Sequence, residues 1–82
     1  MGTKADLQLI REFFTINGWR EDRWGHMNKD LKDGSGPIRH RRKISKENVT
    51  FEVRYKGKWT TGTILPVPYL AKRIRDNDYF TR

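Results

Sequence analysis

The stretch Asn48-Val49-Thr50-Phe51-Glu52-Val53-Arg54-Tyr55 alternates apolar and polar side chains at every step. A period of two is the signature of a half-buried β-strand: Val49, Phe51, Val53 and Tyr55 point one way, while Asn48, Thr50, Glu52 and Arg54 point the other. Lys56-Gly57 then interrupts the pattern, and Lys58 to about Leu65 resumes it. Two strands joined by so short a break make an antiparallel hairpin. Its register decides where Trp59 goes. A two-residue loop sets Trp59 opposite Arg54 on the polar face. A three-residue loop with Gly57 left-handed sets it opposite Val53 on the apolar face. The free energy of burying an indole favours the apolar register, which is the expectation here.

Residues 4–16 read as a helix. Leu7, Ile10 and Phe14 fall at helical spacing, and Leu9, Phe13 and Ile16 widen the same apolar face. Thr3 is placed to cap it, with Asp6 three residues on, and Asn17-Gly18 supplies a left-handed stop. Arg23–Leu31 and Ile38–Ile44 read as two weaker strands around a turn at residues 32–37. A short helix runs from about Pro68 to Asn77, with Pro68 suited to the first helical position, where its missing N–H costs nothing, and Leu70, Ala71 and Ile74 facing inward. The fold class is therefore α+β. A small antiparallel sheet of three to four strands is flanked by an N-terminal helix and a short C-terminal helix, α-β-β-β-α in order, or α-β-β-β-β-α if both early strands persist, as a single basic domain over residues 1–82.

The apolar content is only 34%. Yet Ile, Leu, Val and Phe number 18, and three Trp and three Tyr accompany them, which separates this chain from disordered sequences. With so small a core, aromatic side chains must carry much of the burial, so burial is the expected place for each Trp. The absence of Cys excludes disulfides and thiolate chemistry. No apolar run reaches the length of a membrane span, and no signal-peptide pattern opens the chain. Asp6 stands where a myristoylation motif wants Ser or Thr. A cytoplasmic protein with no cofactor, no metal and no membrane association is the expectation.

The formal net charge is +8, and its distribution is uneven. Residues 1–19 sum to zero, whereas residues 20–46 hold nine Lys/Arg against four Asp/Glu. The densest part is Arg39-His40-Arg41-Arg42-Lys43, with Lys46 close by. On a strand, Arg39, Arg41 and Lys43 share one face at intervals of about 6–7 Å, near the phosphate repeat of a nucleic-acid strand, while Ile38, His40, Arg42 and Ile44 share the other. Arg20, Arg23, Arg54 and the helical Lys72, Arg73 and Arg75 extend the cationic set. Such a set attracts the phosphate backbone of RNA or DNA. Trp19, Trp24, Tyr55 and Trp59 interleave with these cations; any left exposed can stack bases.

His26 and His40 are the groups that titrate near neutral pH. A His beside Arg or Lys can act as general base on a ribose 2′-hydroxyl while the cations stabilise the phosphorane. Two His do not make a zinc site. Glu52-Val53-Arg54 with Asp30 or Asp33 upstream is a faint echo of a metal nuclease, which would want Lys in place of Arg54.

Two family patterns overlap this reading. Asp6-Leu7-Gln8-Leu9-Ile10-Arg11-Glu12, Asn17-Gly18-Trp19 and Arg23-Trp24-Gly25-His26 resemble the opening of the HicA-type mRNA interferase toxins, in which a helix ends in Asn-Gly-Trp and a Gly-Ser-His motif follows; the Ser is absent here. That fold is similar to the α-β-β-β-α double-stranded-RNA-binding domains, whose first hairpin loop carries Gly-Pro-x-His. Gly36-Pro37-Ile38-Arg39-His40 is similar but one residue longer. The resemblance implies an RNA-facing domain with His26 as the catalytic residue. Three readings follow. The first is a non-enzymatic nucleic-acid-binding module that uses the basic strand and helix face. The second is an RNA-cleaving enzyme using His26. The third is a small adaptor or inhibitor that docks on an acidic protein.

Overall fold

The computed structural model describes residues 2–33 and 36–79. Helix α1 spans Lys4–Ile16, followed by β1 (Arg20–Glu21), β2 (Met27–Asp33), β3 (Gly36–Ile44), β4 (Asn48–Tyr55), β5 (Lys58–Pro66) and α2 (Val67–Arg75). The strands form one antiparallel sheet in chain order. The α+β expectation holds, with five strands where three to four were expected. β1 has only two residues, too few for any periodicity to betray it. The early turn is also tighter than residues 32–37, because Lys32 pairs with Pro37 and Asp33 with Gly36; the connecting Gly34-Ser35 lies outside the described residues.

Local chemistry explains the ends of α1. The Thr3 side chain accepts the Asp6 N–H at 3.1 Å, satisfying one of the orphan donors of the first turn. Asn17 caps the other end, and Gly18 takes φ 90°, a left-handed conformation that costs glycine little. Ile10 and Phe14 are buried, and Leu7, Leu9 and Phe13 pack against them, but Ile16 is 83% exposed and lies outside the apolar face expected for it. At the far end of the chain, α2 stops at Arg75 and the left-handed residue is Asn77, φ 59°.

Both helices cover the same side of the sheet. Between them and the strands lie Trp19, Met27, Ile44, Val49, Val67, Leu70 and Ala71, with Phe51 and Leu65 partly buried at the margin. Trp19 is 2% exposed and meets Phe14 edge-on, with ring centres 5.2 Å apart. Asp6 of α1 and Arg75 of α2 form an ion pair that ties the helices together. No helix among the described residues is long and apolar enough to cross a membrane.

The hairpin closes with a two-residue loop. Lys56 and Gly57 both have positive φ, 51° and 79°, the geometry of a type I′ turn whose twist matches that of the strands. Arg54 therefore faces Trp59, and the expectation that Trp59 would sit opposite Val53 on the apolar face is corrected. Turn geometry set the register, and Trp59 recovers part of its burial against the Arg41 guanidinium. Nearer Pro66, two residues of β5, Gly62 and Thr63, oppose the single Phe51, since Thr50 pairs with Ile64 and Glu52 with Thr61. This bulge restores Leu65 to the helix-covered side, opposite Val49.

Candidate nucleic-acid interface

With both helices on one side, the other face of the sheet is uncovered, and the register places its side chains in transverse rows. One row runs Asp30, Arg39, Arg54, Trp59 across β2 to β5. The next runs Arg20, Asn28, Arg41, Glu52, Thr61 across all five strands. Lys43, Thr50 and Ile64 follow in a third. The rows are separated by two residues of strand, about 6.8 Å. Most of the first two rows, with Trp24, line an open cleft of ≈ 630 Å³.

Arg39 and Arg54 are cross-strand neighbours. Like charges directly opposite one another repel. Asp30 relieves part of this through an exposed ion pair with Arg39 at 3.2 Å, an interaction of the solvent-screened kind worth less than about 1 kcal/mol. Arg54 has no hydrogen bond or ion pair among the described residues. In the second row, Arg41 donates to Glu52 at 2.9 Å and lies 4.0 Å from the centre of the Trp59 ring. Glu52 is buried although it belongs to the open face, because the Arg41 guanidinium and the indole cover it. This stack of carboxylate, guanidinium and indole replaces the helix-side burial that Trp59 was expected to find.

Arg42 takes the opposite direction from its neighbours. It projects into the helix side, where its guanidinium lies 4.5 Å from the Trp19 ring and 4.0 Å from that of Phe51, with its Nε buried and without a hydrogen-bond partner among the described residues. Burial lowers the Arg42 pKa and raises that of Tyr79, their mutual attraction opposing both shifts. The run 39–43 is thus split. Arg39, Arg41 and Lys43 face the open side; Arg42 is part of the packed side, and His40, paired with Lys29 and Val53, shares that direction.

The helical cations do not join this surface. Lys72, Arg73 and Arg75 lie on the opposite layer and are each engaged: Lys72 with Asp76 at 3.1 Å, Arg73 with the Asp78 carbonyl at 2.7 Å, and Arg75 with Asp6. The strand cations and the helix cations therefore lie on different layers of the fold. Lys46 is exposed in the β3–β4 connection.

Asp22 organises the loop between β1 and β2. One of its carboxylate oxygens accepts the Trp24 and His26 N–H groups, and the other accepts from Asn28 Nδ2. Burial alone would raise this carboxyl, but the three hydrogen bonds outweigh it and the pKa is lowered. The loop holds Trp24 66% exposed, with the Arg23 guanidinium 4.7 Å from its ring centre. Of the three Trp expected to be buried, only Trp19 is fully so. The local signal that could have placed Trp24 outside is Asp22 itself: an Asx residue ahead of Gly25 nucleates a turn rather than a strand.

His26 Nδ1 accepts the Ile44 N–H at 2.9 Å. A neutral imidazole bonded this way carries its proton on Nε2, so its remaining polar edge is a donor. Burial lowers its pKa, and Arg41 and Lys43 lower it further, against the raising effect of Asp22 and Glu52. The ring thus joins the end of β3 to the start of β2 as a neutral acceptor. No cluster of three or more His, Asp or Glu suited to a metal ion occurs among the described residues.

Comparison with family models, curated proteins and solved structures finds no match to this chain.

Proposed function

We propose that the protein is a nucleic-acid-binding module that meets the phosphate backbone with the uncovered face of its sheet. The observation that carries this reading is the cross-strand pair Arg39 and Arg54, two guanidiniums opposed on an exposed surface where Arg54 lacks a carboxylate partner among the described residues. An anion bridging them turns a repulsion into two charge-assisted hydrogen bonds. Arg20, Arg41 and Lys43 on the same face bring the cations to five. If each neutralises one phosphate, log K falls against log[salt] with a slope of about −3 to −4 on a single strand and about −4 to −5 on duplex DNA.

The reading differs from what the cation count alone implied: Lys72, Arg73 and Arg75 are left out because their layer faces away, and His40 and Arg42 because they point to the packed side. The test is a fluorescence-anisotropy titration of labelled RNA and DNA oligonucleotides across a salt series. Binding that weakens along the stated slope supports the reading. No binding to any of them at low salt, or equal displacement by polyglutamate, which offers carboxylates without phosphates, would sink it.

A further inference from the structure

The open face carries two indoles that phosphate binding alone does not require. Trp24 is 66% exposed on a loop fixed by Asp22, and Trp59 lies at the end of the first transverse row. Both line the same cleft. A guanidinium occupies one face of each ring, Arg23 at 4.7 Å and Arg41 at 4.0 Å, and Arg41 is itself held by Glu52. Neither indole belongs to the helix-covered core. Leaving an indole so exposed forfeits the largest hydrophobic gain any side chain offers, and among the described residues only the Arg23 guanidinium stacks on Trp24.

The shape of the surface restricts its partner. The major groove of duplex DNA admits a helix or a two-stranded ribbon, not the face of a five-stranded sheet. Bases in a duplex also present their rings to one another, leaving none to stack on protein. Unpaired bases can lie across a sheet and stack on its aromatic side chains while their phosphates meet its cations. Resting on the nucleic-acid reading above, we propose that the ligand is single-stranded and that Trp24 and Trp59 each stack an unpaired base in the cleft between β1 and β5.

The experiment compares three labelled ligands of equal phosphate count, about 12 nucleotides each within the usual site size of such proteins: a single strand, a hairpin duplex and an abasic single strand. Each is titrated with the wild-type protein and with Trp24→Ala, Trp24→Phe and Trp59→Ala, whose folding is checked by thermal melting. Trp24 is exposed, so its replacement leaves the fold intact even if Trp59→Ala does not. The single strand is expected to bind about tenfold or more tighter than the other two. Trp24→Ala should lose roughly 5- to 100-fold on the single strand, with no change on the abasic strand, and Trp24→Phe should restore part of the loss. Equal affinity for all three ligands, or a Trp24→Ala variant that binds the single strand as the wild type does, overturns the stacking role while leaving backbone binding intact. Failure of every ligand to bind overturns both.

Discussion

Arg41 and Arg42 are adjacent in sequence and do opposite things. Arg41 belongs to the open face, and Arg42 is stacked against Trp19 and Phe51. Alternation along β3 already assigned them to opposite faces, but a run of cations draws attention as a unit, and the aromatic residues that receive Arg42 come from distant segments. Arg42→Ala is expected to cost about 1–3 kcal/mol in urea denaturation, through lost stacking and stem packing, with little effect on oligonucleotide affinity. Arg54→Ala should do the reverse, leaving stability within about 0.5 kcal/mol while weakening binding. His26 was visible as a titratable group, but its acceptor role was not, because Ile44 N–H reaches it across 18 residues of chain. Its pKa is lowered in the fold, so the unfolded chain binds more protons wherever the two differ. Stability from His26 is thus complete above the ordinary value near 6.5 and is lost as pH falls below it through the folded pKa. Melting temperature should therefore fall on acidification from about pH 7.5 to 5.5, and His26→Ala should flatten that dependence while costing about 0.5–1.5 kcal/mol at neutral pH.

At the scale of elements, α1 and β4 have the boundaries that their periods predict, Lys4–Ile16 and Asn48–Tyr55. A helix face and a strand alternation are local patterns, and both are reinforced by end signals at Thr3, Gly18 and Gly57. The register of the β4–β5 hairpin shows where such reasoning stops. Burial argued for Trp59 on the helix side, and turn geometry argued otherwise and prevailed. Two successive residues at positive φ are cheap for Gly57 but costly for Lys56. Lys56→Asn should accordingly stabilise the hairpin, and Gly57→Ala should destabilise it by about 1 kcal/mol or more, both read from denaturation midpoints. The sequence suggests a strand from Arg23, whereas the Asp22 hydrogen bonds make the segment before β2 a turn, and that turn is what presents Trp24.

For the whole molecule, the arrangement is a two-layer one in which the helices and the open face divide the work. The helix layer supplies the core, and Arg75, Lys72 and Arg73 on it pair with Asp6, Asp76 and Asp78. The open layer supplies Arg20, Arg39, Arg41, Lys43 and Arg54, beside two indoles outside the helix-covered core. Overall charge was legible from composition, but the division of cations between the two layers depends on how strands and helices pack, and sequence alone does not give that; on the open face Arg39 and Arg41 are themselves paired with Asp30 and Glu52, while Arg54 has no carboxylate partner among the described residues. The measurement that bears most directly on this division compares two double variants of equal charge change, Arg39→Gln/Arg54→Gln on the sheet and Lys72→Gln/Arg73→Gln on α2, titrated with the same single-stranded oligonucleotide over a salt series. The sheet variant should lose affinity and have a salt slope shallower by about 1.4, while the helix variant retains the wild-type slope. Equal losses, or a loss confined to the helix variant, would contradict the assignment of the interface to the open face.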